Sequence, residues 1–343
     1  MDLILKFEAV KNEHLINYND AVMLIGSCFT EHIGNYLKEH KFTVLQNPNG
    51  ILFDTLSVCR TLTSYIEAKQ YTESELFYYN ELWHSWQHHS MYSGVNKANV
   101  LQQINNSQLN AHNYLKTTSY LIITLGSSYA YKLQYAEIDK HNKAAITNLT
   151  NTNTAVTNCH KAPQQWFSKY LIPIEEQIAT LDNVIYRIKQ SNPNIKIIFT
   201  ISPVRHIRDG VVENNRSKAR LLETVHHLTQ KFENIYYYAA YEMLIDVLRD
   251  YRFYDIDMVH PNYSATNYVL EQFKKSCIDE TSQQLLTKIS SIITARKHKA
   301  FNPQSIAHKK FLLQNAEQIN SIIKDHPQLN FKDELTYFSS VIV

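Results

Sequence analysis

The chain has 343 residues, 44% of them hydrophobic, enough to bury one large core or two modest ones. Lys and Arg number 34 against 32 Asp and Glu, and the resulting net charge of +2 offers no electrostatic footprint for a nucleic acid or an anionic membrane surface. No stretch approaches the roughly 20 apolar residues of a membrane-spanning helix, and Met1-Asp2-Leu3-Ile4-Leu5-Lys6 lacks the layout of a signal peptide, so a soluble, cytoplasmic protein with a small-molecule or neutral-polymer partner is expected.

In chain order, Ala21-Val22-Met23-Leu24-Ile25 is a short continuous apolar run that reads as a buried strand. Gly26-Ser27-Cys28-Phe29 follows it directly, and a helical pattern runs from Thr30 to Lys41. Two later runs have the same character: Tyr120 to Thr124, ending at Gly126, and Ile195 to Ile201, ending at Ser202-Pro203. Ile235 to Tyr238 is a weaker fourth strand. Helical patterns from Pro163 to Gln190, Ser217 to Phe232 and Tyr241 to Asp250 separate them. Ala144 to Asn158 is rich in Asn and Thr and suits a surface excursion. From Ser264 onward, apolar residues at helical spacing (Val269, Phe273, Cys277, then Ile289, Ile292, Ile293) predict helices packed outside a sheet, and the segment after Lys297 adds Phe311, Leu312 and Leu313. Strands alternating with helices predict an α/β fold with a mostly parallel sheet covered on both faces. The division expected is a principal domain over 1–290 and a helical extension over 291–343. Cys28, Cys59, Cys159 and Cys277 are scattered without a C-x-x-C pair, which argues against a zinc ribbon or a disulfide framework.

In open parallel sheets the ligand site lies beyond the carboxyl ends of the strands. Ser27 stands there, on the step from strand into helix, where a glycine permits the tight turn and the first N–H groups of a helix favour negative charge. Far downstream, Asp257-Met258-Val259-His260-Pro261 puts an acid three residues ahead of a histidine. A serine hydroxyl becomes a nucleophile when an imidazole takes its proton, and the imidazole needs a partner that fixes its tautomer. Ser27, Asp257 and His260 supply those three types. The competing explanations are a serine that caps the helix and a polar loop preceding another helix, with Pro261 early in it. Cys28 reads as a packed, inert thiol.

His84, His88 and His89 are the densest histidine cluster. On a helix, His84 and His88 would share one face, as in helical zinc sites, though Trp83 and Trp86 are interleaved and no acid stands between them. Asn158-Cys159-His160-Lys161 gathers four chemically able side chains. Arg205 and His206 follow a strand end, where a guanidinium suits a carboxylate or phosphate unless Asp209 or Glu213 claims it. Arg249-Asp250-Tyr251-Arg252 reads as a salt-bridged scaffold for the Asp257 loop. His84, His89, His160, Arg205 and His206 are the candidates for substrate contact. No cofactor and no metal is called for.

Gly26-Ser27-Cys28-Phe29-Thr30 resembles the signature of the GSCFA-domain proteins, a bacterial group related to the SGNH (GDSL-like) hydrolases. Asn47-Pro48-Asn49-Gly50, His84 to Ser90, Thr124-Leu125-Gly126, Asn158 to Lys161, Ser202 to His206 and Arg249 to Tyr254 leading into Asp257 and His260-Pro261 are similar to that family as well, over about residues 20 to 275. The resemblance implies a flavodoxin-like, three-layer α/β/α fold with Ser27 as nucleophile, His260 as base and Asp257 orienting it. It implies an esterase or acylhydrolase whose substrate is a small O-acyl ester, on a carbohydrate by analogy. The wider SGNH group carries Gly-x-Asn after its third strand, and its asparagine helps hold the oxyanion; here the segment is Gly126-Ser127-Ser128. The replacements to consider are Asn158, ranked first for its amide, a hydroxyl of Ser127 or Ser128, and the backbone N–H groups of Ser27 and Gly50. Two alternatives accompany this reading: a ligand-binding module that keeps the scaffold without turnover, and a metal-dependent hydrolase built on His84, His88 and His89.

Overall fold

The structure, a computed structural model, describes residues 5–8, 10–134 and 155–339. Five strands form the central sheet: β1 (Ala21–Gly26), β2 (Thr43–Gln46), β5 (Tyr120–Leu125), β9 (Lys196–Ile201) and β10 (Ile235–Tyr238), in the order β10-β9-β5-β1-β2. All four pairings are parallel. Between β2 and β5 the chain makes a hairpin of β3 (Leu76–Tyr79) and β4 (Leu82–Ser85). A small antiparallel sheet follows, of β6 (Tyr129–Leu133), β7 (Ala155–Val156) and β8 (Phe167–Leu171).

The apolar strands are continuous because both faces of the sheet are covered. Val22, Leu24, Tyr120, Ile122, Ile198 and Tyr238 point into one core, shared with α1 (Cys28–Glu39), α6 (Tyr263–Cys277), α7 (Glu280–Lys297), α8 (Ile306–Asp325) and α9 (Lys332–Ser339). Met23, Ile25, Leu121, Ile123, Ile197, Phe199 and Ile235 point into the other, shared with α2 (Thr55–Ile66), α3 (Lys97–Thr117), α4 (Ile174–Ser191) and α5 (Val211–Lys231). This is the predicted three-layer α/β/α arrangement. The C-terminal helices complete one of its layers, and buried Glu334 fastens α9 to Lys41 at 2.9 Å and to Arg296 at 3.1 Å. The expected division after residue 290 falls inside α7.

Several elements differ from expectation. The helix predicted from Pro163 begins only at Ile174: Phe167–Leu171 is instead β8, paired along its length with β6, and Pro173 stands at the helix start, where its missing N–H does no harm. The Tyr241 to Asp250 pattern yields one helical turn, Ala240–Glu242, and a π-helical turn, Met243–Val247. The α5 helix starts six residues earlier than Ser217, at Val211, after Gly210. Of the Asn- and Thr-rich excursion, 144–154 lies outside the described residues.

Candidate active site

Counted along the chain, the five central strands lie in the order second, first, third, fourth, fifth. The chain therefore leaves β1 to one side and β5 to the other, opening a crevice between the segments that follow them. Ser27 follows β1 and Gly126-Ser127-Ser128 follows β5. The two segments abut, since a Cβ on Gly126 would lie 3.3 Å from the Ser27 Cβ. Gly26 is required at the step: its φ is +144°, and a Cβ there would sit 2.1 Å from the Thr124 carbonyl oxygen.

Ser27 occupies the N-cap position of α1, with φ −68° and ψ 174°, yet its side chain makes no capping bond. Asp54, Asn96, Asn262, Asp279 and Ser305 stand at the same position of later helices, and each accepts a backbone N–H. The Ser27 Oγ is buried with no hydrogen-bond partner. A buried polar atom left unpaired forfeits about 1–3 kcal/mol, so helix capping does not explain this hydroxyl.

The Asn47-Pro48-Asn49-Gly50 turn closes over the same corner. Asn47 donates its N–H to Leu24 O at 2.8 Å, and its Oδ1 accepts the Gly26 N–H at 2.9 Å. Asn49 Oδ1 accepts the Tyr65 hydroxyl at 3.0 Å. The Nδ2 groups of Asn47 and Asn49 are buried and unpartnered. Two backbone donors considered for an oxyanion hole are already occupied: Ser27 N–H donates to Thr124 O at 3.1 Å, and Gly50 N–H to Asn47 O at 2.7 Å. Gly50 serves instead to close the turn, with φ +81° and the His89 Cβ only 2.1 Å from where its own Cβ would be. Ser127 Oγ accepts the Tyr129 N–H at 3.0 Å and lies 3.3 Å from Ser217 Oγ, while Ser128 Oγ donates to Ser217 O at 2.9 Å. Asn158 turns its Oδ1 onto the His160 N–H at 2.8 Å.

Asp257 and His260 meet as their spacing suggested. His260 Nδ1 lies 2.6 Å from Asp257 Oδ2, and Asp257 Oδ1 accepts the Val259 and His260 N–H groups at 2.9 and 3.0 Å. The His260 N–H, then its ring, then the Val259 N–H hold the Asp257 carboxyl down at about 2, so it is ionised at neutral pH. Met258, at φ +58°, makes the bend that lets the acid reach back. Both side chains are exposed, and no hydrogen bond joins His260 to Ser27. The loop is nonetheless docked on the rim, because Val259 O accepts the Arg205 N–H at 3.2 Å. Burial lowers His32 on α1 and His206, and the nearby His260 adds a smaller lowering to each.

Phe53 and Lys218, which their sequence context did not announce, gather here with the expected His206 and with Cys28. Phe53 lies against Gly126 and meets the His206 ring edge-on at 5.7 Å between centroids. Burial, and then Lys218, hold His206 down at about 4. Lys218 is fully buried, and its ammonium donates to Gly126 O at 2.7 Å and Ser202 O at 2.6 Å, clamping the ends of β5 and β9. Burial lowers it to about 7. Burial likewise raises Cys28, keeping its thiol protonated.

The histidine cluster is built differently from the helical reading. His84 lies on β4, and its ring nitrogens are engaged by Ser93 Oγ at 2.6 Å and Tyr79 O at 2.9 Å. His160 bonds Ser85 O at 2.8 Å and packs with His84 and Phe77. His88 is buried beside Tyr71. With no helix there is no shared face, and no group of three His, Cys, Asp or Glu among the described residues is arranged to hold a metal. His89 alone of this cluster reaches the Ser27 corner, donating its N–H to Asn49 O at 3.0 Å.

The sequence matches the GSCFA family over residues 21–273 and the GSCFA domain protein, C-terminal domain, over residues 289–342. No curated protein matches it. Among solved structures, a family 3 carbohydrate esterase of Clostridium thermocellum is 9% identical with a TM-score of 0.34, covering 78% of this chain and 97% of that one. A carbohydrate esterase family 3 protein from Talaromyces cellulolyticus is 9% identical with a TM-score of 0.34, covering 79% and 99%. An acetyl xylan esterase from the rumen bacterium Butyrivibrio proteoclasticus is 9% identical with a TM-score of 0.32, covering 76% and 64%. At this distance the likeness says nothing of chemistry.

Proposed function

The chain belongs to the GSCFA family, and on that premise we propose that it is a serine hydrolase of the esterase or acylhydrolase type, acting on a small O-acyl ester of a carbohydrate. The observation that carries the proposal is the Ser27 hydroxyl: buried, uncapped and unpartnered at the switch point of the sheet, while Asn47, whose Oδ1 holds the Gly26 N–H, leaves its buried Nδ2 without a partner.

In this reading the Asp257–His260 loop closes on Ser27 when substrate enters past Phe53. His260, its Nδ1–H held by Asp257, takes the Ser27 proton on Nε2 as Oγ forms a bond to the acyl carbon. The oxyanion is met by the Asn47 amide and the first free N–H groups of α1. His260 then protonates the departing alcohol, and a water freed of its proton by the same imidazole releases the acid. Asn47 thereby fills the role for which Asn158, Ser127 and Gly50 were considered. Residues 1–290 act as the hydrolase domain, with 291–343 packed on it.

Fluorophosphonate labelling of the purified protein, read by peptide mass spectrometry against Ser27→Ala, tests this. A single adduct on Ser27 is expected. No adduct on folded protein overturns the reading and favours a ligand-binding module, the second reading, for which the lack of a hydrogen bond from Ser27 to His260 speaks.

A further inference from the structure

Next to the His260 loop lies a cavity of about 450 Å³, whose wall includes Arg205, Asn214, Tyr241, Arg249, Tyr251 and Tyr254. It shares a wall with the catalytic loop. Arg205 donates its N–H to Val259 O at 3.2 Å, Tyr254 pairs with Pro261 across a β-bridge, and Asp255 N–H bonds the His260 carbonyl at 2.8 Å. These backbone bonds tie two residues of the cavity wall to the loop that carries His260.

The charges around it are unequal. The Arg205 guanidinium lies over the rings of Tyr254 at 4.2 Å and Tyr251 at 5.2 Å. Asp209 and Glu213, the acids that sequence offered it, are taken by Lys169 and Arg216. Neither Arg205 nor Arg249 has an ion pair among the described residues. Of the two acids in the wall, Asp250 is held by both Arg252 Nε, at 3.1 Å, and Arg252 Nη2, at 3.2 Å. That leaves Asp246 against two arginines. A guanidinium placed on aromatic faces in a concave site presents its fork to a planar anion and matches a carboxylate with two parallel hydrogen bonds. Tyrosine rings and amides around such a fork suit a polyhydroxylated unit of a size that about 450 Å³ admits.

We propose that this cavity is an anion subsite that receives the carboxylate of a uronic-acid unit, so that the ester cleaved at Ser27 is carried by an acidic saccharide. The proposal rests on the hydrolase reading for the word ester, but the subsite can be tested without turnover. Calorimetric titration of the full-length Ser27→Ala protein with glucuronate, glucose and glucose 6-phosphate separates the alternatives. Glucuronate binds about tenfold or more tightly than glucose, the worth of one charge-assisted contact, and its affinity falls with added salt. Arg205→Gln and, at the second arginine of the wall, Arg249→Gln each remove the preference, while Arg205→Lys restores part of it because charge remains without the fork. Equal binding of glucuronate and glucose, a preference for glucose 6-phosphate, or a preference unmoved by both glutamine variants in folded protein overturns the proposal. Failure of the hydrolase reading shows differently: glucuronate still binds, and wild-type Ser27 takes no fluorophosphonate.

Discussion

Asn47 Oδ1 accepts the Gly26 N–H at 2.9 Å, and this one bond fixes which way the amide faces. A backbone N–H can only donate, so the side-chain atom before it must be the oxygen, and the Asn47 nitrogen is left buried with nothing to bond. A donor held ready in a dry site, without a ground-state partner, is what a developing oxyanion needs.

Replacing Asn47 by Asp keeps an oxygen for Gly26 and removes the donor. Turnover of an acyl ester is expected to fall by about 10²–10³ with KM little changed. Steady-state kinetics on a variant with a normal circular dichroism spectrum checks this; wild-type kcat would exclude Asn47 from the oxyanion hole.

Ser27→Ala separates nucleophile from cap. Loss of a capping serine destabilises a protein by about 1 kcal/mol, but Ser27 makes no capping bond, so its removal leaves stability unchanged or raises it. Turnover should meanwhile drop by at least about 10³. Thermal unfolding and kinetics on the same sample decide, and a clear loss of melting temperature argues for the structural role.

Asp257→Asn tests the orientation of His260. The Val259 and His260 N–H groups would keep the amide oxygen where Oδ1 is now and turn the NH₂ toward Nδ1. The imidazole proton then moves to Nε2, where the base must be free, and kcat is expected to fall by about 10³–10⁴ with stability nearly intact. A loss of less than about tenfold would separate Asp257 from the chemistry.

Lys218→Met leaves the carbonyls of Gly126 and Ser202 without their donor, at about 1–3 kcal/mol each. Burial lowers Lys218 in the fold to about 7 from 10.5. Between those values the unfolded chain binds the proton and the fold does not, so this group makes stability rise with pH over that window. Urea unfolding at pH 7 and pH 9 should show that rise in wild type and a smaller one in the variant.

His88 and His160 are held by burial at about 3 and about 4. Below about pH 6.5 the unfolded chain protonates both while the fold does not, so stability falls as pH drops from about 6.5 toward 4, by up to about 1.4 kcal/mol per pH unit for each. His160→Gln should flatten the curve measured by chemical denaturation between pH 7 and pH 5. An unchanged slope would show that His160 takes up its proton in the fold as it does in the unfolded chain.

The central strands were legible because burial on both faces leaves an apolar run that needs no knowledge of its neighbours: Ala21 to Ile25, Tyr120 to Thr124 and Ile195 to Ile201 all pair as parallel strands. Asp257 and His260 were legible for the opposite reason, since three residues suffice to bring an acid onto an imidazole in one loop. Four-residue β2 and the β3–β4 hairpin carry too few residues to show a period, and Phe167–Leu171 resembled helix because its partner β6 lies more than 30 residues away in sequence. The corner around Ser27 belongs to tertiary structure altogether. Asn47 belongs to a motif that the sequence showed without its bonding, Lys218 to no motif at all, and their roles come from Gly26, Gly126 and Ser202, which only the packing of β1, β2, β5 and β9 with α5 brings within hydrogen-bond reach. Local patterns encode which residues are buried and which turn, because solvation and backbone sterics act on each segment alone. Which buried donor lacks a partner depends on atoms contributed by distant segments, and the folded chain decides it.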